Sequence, residues 1–273
     1  MHGYPYKDIV QVAVSNRKIP VRIAGRGTPL MLLHGYPLDG RLWDRVIPLL
    51  SSEYLCIAPD LRGFGRSHEE PKSFSIANLA DDCISVLDSM QVRQPIALCG
   101  LSMGGYVAME MAERYRERLA RLIFTNTRAN ADDSSEMATR RSVAGLALAE
   151  GVSKAVLPML VKLLSRQTIS DQPDVVELVR CMMLETRAST VAWAQLAMAG
   201  RQDFRLKLRE WKMPVVCIAG AEDPITPPDV LEKMSYGLSN SKFYVVANSS
   251  HLTPLECPHE FAKIMMESQP LAD

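Results

Sequence analysis

The sequence predicts an α/β protein: a mostly parallel central sheet flanked by helices, with a helical cap inserted between two of its strands. Three observations carry that reading. Apolar runs at residues 30–33, 54–58, 96–99, 119–124, 215–219 and 243–246 alternate with helical patterns, as strands and crossover helices do in a parallel sheet. The run at 96–99 breaks at Gly100-Leu101-Ser102-Met103-Gly104 and passes directly into a buried helical pattern. Residues 128–207 carry helical patterns and no strand, so they interrupt the alternation.

Taken in order, residues 9–14 and 19–24 are rich in β-branched residues and are separated by the polar Ser15-Asn16-Arg17-Lys18, which makes them a hairpin. The run at 30–33 ends in His34-Gly35-Tyr36-Pro37, and Trp43, Val46, Ile47, Leu49 and Leu50 mark a short helix. The run at 54–58 leads into Pro59-Asp60-Leu61-Arg62-Gly63-Phe64-Gly65-Arg66-Ser67. That glycine pair reads as a turn and not as a phosphate cradle, because polar His68-Glu69-Glu70-Pro71-Lys72 follows where a cradle needs a helix to begin. Ile76, Leu79, Ala80, Cys83, Ile84 and Leu87 recur at helical spacing opposite Asp81, Asp82, Ser85 and Asp88, an amphipathic helix on the sheet. Inside the insertion, residues 152–164, 175–184 and 191–199 have helical patterns; Met182, Met183, Met198 and Trp193 are candidates for core or for pocket lining.

The chain of 273 residues is long enough for one large core, expected to comprise 1–127 and 208–273, with 128–207 as the cap. Basic and acidic residues number 31 each, so a net charge of zero offers no footprint for nucleic acid or an anionic membrane. Residues 1–6 lack the apolar segment of a secretion signal, and no apolar run reaches the roughly eighteen residues of a membrane span, so a cytoplasmic protein is expected. The six cysteines (Cys56, Cys83, Cys99, Cys181, Cys217, Cys257) show no C-x-x-C spacing, and three of them sit in apolar runs; reduced, buried thiols are expected, with no metal site.

The turn at Ser102 has a chemical reading. A serine hydroxyl is a poor nucleophile unless it is held proud of the surface, beside a base and under backbone N–H donors, and a sharp strand-to-helix turn supplies exposure and donors together. The base and its orienting acid belong on loops at the carboxyl ends of later strands. Ala221-Glu222-Asp223-Pro224 follows one such strand and Asn248-Ser249-Ser250-His251 another. The order serine, acid, histidine is the one expected for a nucleophile elbow on an open sheet, which favours His251 over His34 as the base. His2 is terminal, His68 lies in a polar loop and His259 opens the last helix. From spacing alone, either Glu222 or Asp223 could be the acid.

These residues together resemble an α/β-hydrolase over essentially the whole chain. His34-Gly35-Tyr36-Pro37 matches the H-G-x-P turn, Asp60 to Ser67 the D-x-R-G-x-G-x-S loop, and Gly100 to Gly105 the nucleophile elbow. The stretches HGYPLDGRLW, GLSMGGYVAMEMA and FTNTRANAD are similar to bacterial serine carboxylesterases and to 3-oxoadipate enol-lactonase-like hydrolases. The resemblance implies the α/β-hydrolase fold, Ser102, Asp223 and His251 as the triad, the backbone N–H groups of Tyr36 and Met103 as the oxyanion hole, and no cofactor. It also implies a small-molecule ester or lactone as substrate. Haloalkane dehalogenases and epoxide hydrolases share the H-G-x-P turn but carry aspartate where this chain has Ser102. Cofactor-independent perhydrolases use the same triad, and some receptors use the same fold, so these stand as alternatives to an esterase or an enol-lactone hydrolase. A lactonase for a carboxylate-bearing ring should present a cation, with Arg128, Arg140, Arg141 and Arg187 as candidates.

Overall fold

The computed structural model describes residues 9–14, 17–67 and 73–267. Its strands are β1 (Ile9–Val14), β2 (Arg17–Ala24), β3 (Thr28–Leu33), β4 (Tyr54–Pro59), β5 (Ile96–Leu101), β6 (Leu119–Thr125), β7 (Val215–Gly220) and β8 (Ser241–Val246). They form one eight-stranded sheet in the order β1-β2-β4-β3-β5-β6-β7-β8. The β1–β2 hairpin and the β2–β4 pair are antiparallel, and the remaining pairs are parallel. β5 and β7 are buried along their whole length, which is why they read as continuous apolar runs without alternation.

The helices are α1 (Ile47–Leu50), α2 (Ile76–Ser89), α3 (Met103–Arg114), α4 (Ser134–Glu150), α5 (Val152–Val156), α6 (Leu160–Leu163), α7 (Arg166–Asp171), α8 (Pro173–Glu185), α9 (Ala188–Ala199), α10 (Pro228–Gly237), α11 (Thr253–Glu256) and α12 (Pro258–Glu267). The chain leaves β3 in one direction, through α1 to β4, and leaves β4, β5 and β7 in the other, through α2, α3 and α10. Parallel crossovers are right-handed, so α1 lies on one face of the sheet and α2, α3 and α10 on the other. The direction reverses between β3 and β5. At their carboxyl ends, where an open sheet of this kind places its binding crevice, the His34 turn meets the Ser102 turn: a Cβ at Gly35 would lie 3.2 Å from the Ser102 Cβ.

Between β6 and β7 the described residues contain helices α4 to α9 and no strand. The pattern at 152–164 is broken where Pro158, which has no N–H to continue the ladder, sits in a tight 3-10 turn between α5 and α6. Helix α4 has no counterpart in the periodicity reading. Of its residues only Ala144 and Ala147 are buried, so it has almost no apolar stripe to detect, yet its start is legible: Asp133 accepts from the Glu136 N–H at 2.8 Å and Glu136 from the Asp133 N–H at 3.0 Å, a capping box. Met182, Met183 and Met198 are buried in the hydrophobic core, and Trp193 packs against it half-buried. Thr186 Oγ1 donates to the carbonyl of Pro37 at 3.2 Å, Thr190 Oγ1 to that of Gly63 at 3.1 Å, and Glu185 pairs with Arg41, which ties this helical segment to the loops around the crevice.

The strand-to-helix turn depends on a close approach. A Cβ at Gly104 would lie 2.2 Å from the carbonyl oxygen of Leu33 and 2.8 Å from that of His34, so α3 can cross the end of β3 only without a side chain there. Gly104→Ala should destabilise the fold by about 3 kcal/mol or more, since backbone has to move to admit the methyl. Urea unfolding measures this, and a loss under about 1 kcal/mol would contradict the packing account.

Candidate active site

Ser102 stands between β5 and α3 with φ 54° and ψ −116°, a conformation that side chains rarely adopt. The turn is pinned on both sides: its N–H donates to the Thr125 carbonyl at 3.0 Å, and its own carbonyl accepts from the Gly105 N–H and from Thr127 Oγ1, each at 2.9 Å. Met103 begins α3, where the first N–H groups of a helix have no partner within it. Tyr36 follows β3 in the turn that contains the cis Tyr36–Pro37 peptide. Among the described residues neither the Tyr36 nor the Met103 N–H bonds a backbone acceptor outside the regular elements.

His251 and Asp223 meet as the chain order suggested. His251 is buried, and its Nδ1 lies 2.7 Å from Asp223 Oδ2, while its Nε2 has no hydrogen-bond partner among the described residues. Asp223 Oδ1 accepts from the N–H groups of Ile225 at 2.8 Å and Thr226 at 3.0 Å. Burial pushes the Asp223 carboxyl up, but the adjacent His251 and the hydrogen bonds from His251, Asn126 and Thr226 outweigh it and hold the group below the ordinary aspartate range. Glu222 is exposed, so Asp223 is the acid in contact with the imidazole.

His34 is occupied elsewhere. Its Nε2 accepts from the Leu61 N–H and its Nδ1 bonds the Gly35 carbonyl, each at 3.0 Å, so both ring nitrogens tie the β3 turn to the Asp60 loop. Burial lowers its pKa, against the pull of the Gly35 bond, which keeps the ring neutral. That loop is gathered on a carboxylate: Asp60 accepts from the N–H groups of Gly40 and Arg66, each at 2.9 Å, and from Arg22 at 2.6 Å. His259 is exposed, and His2 and His68 lie outside the described residues.

The candidate arginines divide. Arg128 pairs with Asp132 at 2.8 Å and Glu136 at 2.7 Å, Arg140 pairs with Asp132 and donates to Gln195 at 3.2 Å, and Arg201 reaches Asp132 at 2.6 Å with its guanidinium 4.2 Å from the Tyr106 ring centre. Arg141 is exposed, and Arg187 is exposed at a separate polar cavity of about 530 Å³.

Two positioning groups beside Asp223 escaped the sequence reading. Asn126, at φ 46° just past β6, donates through Nδ2 to Asp223 Oδ2 at 2.7 Å and to the Ser250 carbonyl at 3.2 Å. Thr253 Oγ1 in turn donates to Asn126 Oδ1 at 3.0 Å. An asparagine directly after a strand, where a left-handed residue is tolerated, was the one local signal.

An alpha/beta hydrolase fold family model matches residues 28–258. The chain belongs to this family. It is 28% identical to 3-oxoadipate enol-lactonase 2 of Acinetobacter baylyi over 220 residues, covering 81% of this chain and 80% of that protein. It is also 28% identical to a pimeloyl-[acyl-carrier protein] methyl ester esterase of Legionella pneumophila over 250 residues, 89% of this chain and 95% of that one. Among solved structures, a thermophilic esterase of Thermogutta terrifontis, determined with malate bound, superposes with a TM-score of 0.89 at 35% identity, covering 95% of this chain and 96% of that one.

The Asp223 environment sets a pH dependence. A carboxyl held below its ordinary range adds stability above that range and loses it as pH falls through the folded value. The Asn126 donor favours the ionised form, so Asn126→Ala should cost about 2 kcal/mol at neutral pH, and the gap from wild type should narrow below about pH 4. Urea unfolding across that range checks it; a pH-independent gap would show that Asn126 does not act through the Asp223 charge.

Proposed function

We propose that this family member is a serine hydrolase that cleaves carboxylic esters of small to medium size through an acyl-enzyme. The observation that carries the reading is a buried His251 bonded through Nδ1 to an ionised Asp223, with Nε2 left without a partner. In this reading Nε2 takes the proton of Ser102 as the hydroxyl attacks the ester carbonyl. Asp223 fixes the tautomer and stabilises the imidazolium. The N–H groups of Tyr36 and Met103 bind the oxyanion, each worth about 3 kcal/mol in comparable sites. The proton then passes to the departing alkoxide, and water activated by the same histidine releases the acid. Residues 128–207 act as the cap that shapes the acyl and alcohol sites, a role supported by the bonds that join Thr186 and Thr190 to the crevice loops. Free cysteines at all six positions fit a reducing, cytoplasmic setting.

Lactone opening by the same residues is a second reading, favoured by the arginine group. Arg128, Arg140 and Arg201 face the carboxylates of Asp132 and Glu136, three cations to two anions, and Arg201 lies against Tyr106, one turn along α3 from Ser102. An acyl chain ending in a carboxylate would offset that excess.

Hydrolysis of p-nitrophenyl acetate, butyrate and octanoate, with a carboxylate-bearing enol-lactone in the same panel, tests both readings. Wild type should release a burst of about one equivalent of nitrophenol and then turn over, and Ser102→Ala should lose at least about a thousandfold in kcat. Unchanged turnover in Ser102→Ala would overturn the assignment.

A further inference from the structure

The strongest unassigned feature is a buried carboxylate at the joint between the helical segment and the histidine loop. Glu256 ends α11 and is 4% exposed. Its Oε1 accepts from the N–H groups of Ser250 at 2.8 Å and Leu252 at 3.3 Å, the residues on either side of His251. Its Oε2 accepts from the N–H of Ser165 at 2.6 Å, the residue that caps the start of α7. A second tie closes the same joint: the carbonyl of Leu163, last residue of α6, accepts from the N–H groups of His251 at 3.1 Å and Leu252 at 3.2 Å. Gln172, just past α7, adds a bond from its Nε2 to the Glu256 carbonyl at 3.3 Å.

Among the described residues no cation pairs with Glu256; peptide N–H groups meet its carboxyl, and burial pushes its pKa up against those bonds. A buried carboxylate without a countercharge is costly for stability alone; three peptide donors converging on it fix a local geometry instead. The donors come from two separate parts of the chain, the histidine loop after β8 and the α6–α7 junction. The geometry therefore couples them: a displacement of residues 160–171 moves the acceptor of the His251 amide and pulls on the carboxylate that holds its neighbours.

We infer that Glu256 is a positioning residue for His251 and links the α6–α7 segment to it, so that the placement of this part of the cap and the alignment of the base are one event. The inference rests on the reading of His251 as the base. Because Glu256 does not touch the reacting atoms, its loss should impair proton transfer and leave substrate binding nearly intact.

Two variants test it. Glu256→Ala removes every side-chain acceptor, whereas the amide oxygen of Glu256→Gln can still serve Ser250 and Leu252 while its NH2 meets the Ser165 N–H. Two readouts are followed: the pH titration of the His251 ring by NMR, assigned with His251→Gln, and ester kinetics alongside Ser102→Ala. Glu256→Ala should shift the His251 titration and lower kcat roughly a hundredfold with KM within about twofold, and Glu256→Gln should fall between it and wild type. A folded variant whose His251 titration matches wild type overturns the inference, whatever happens to kcat. If Glu256→Ala does not fold, the same comparison decides on Glu256→Gln. Absence of Ser102-dependent ester turnover in wild type would instead overturn the esterase reading, and the NMR titration would still decide whether Glu256 positions the histidine.

Discussion

The structure depends on one backbone constraint: a serine held at positive φ between a buried parallel strand and the helix that follows it. Such a conformation costs about 1–3 kcal/mol and persists only where its surroundings over-determine it. Here they do so from three directions. Thr125 on the neighbouring strand accepts the serine N–H, Thr127 bonds its carbonyl, and the missing side chain of Gly104 lets α3 cross the end of β3 at backbone contact. The chain's change of direction between β3 and β5 sets that strained turn opposite the turn after β3. A single topological feature therefore brings the Ser102 turn and the turn at residues 34–37 together at the carboxyl ends of the strands.

Around this turn a layer of buried polar groups is closed by mutual hydrogen bonds. Asn126 and Asp223 share a donor and an acceptor, Thr253 holds Asn126, and Glu256 gathers the peptide groups on both sides of His251. Low dielectric makes each of these bonds stronger and makes an unpaired group costly. Within this layer the Nε2 of His251 has no partner among the described residues, and the proposed mechanism uses it as the acceptor of the serine proton. His34 offers the contrast: it is as deeply buried, but both of its nitrogens are used, and it serves as a bracket between two loops.

The sheet was legible in the sequence because strands β3 to β7 are buried nearly throughout and appear as apolar runs bounded by turn residues, while the edge strand β8, mostly half-buried or exposed, still carries a short apolar run. The order of Ser102, Asp223 and His251 was legible for a topological reason: crevice loops follow strands in sequence. Helix α4 was not, since a mostly exposed surface gives it almost no apolar period, and only its capping box marks where it begins. The choice between Glu222 and Asp223 was invisible to spacing and depends on which carboxyl faces inward. Asn126 and Glu256 escaped for a related reason: their partners lie far away in the chain, and nothing in a polar residue's local pattern reveals that it is buried among peptide groups from elsewhere.

The central claim, that Ser102 is acylated with the help of His251, is tested most directly by trapping the intermediate. Wild-type protein mixed with a p-nitrophenyl ester and quenched in acid within the burst would be digested and examined by mass spectrometry. The account predicts one acyl group on the peptide containing Ser102, and strongly slowed labelling of that peptide in His251→Gln. An acyl group carried by another residue, or labelling of Ser102 at an undiminished rate without the histidine, would contradict it.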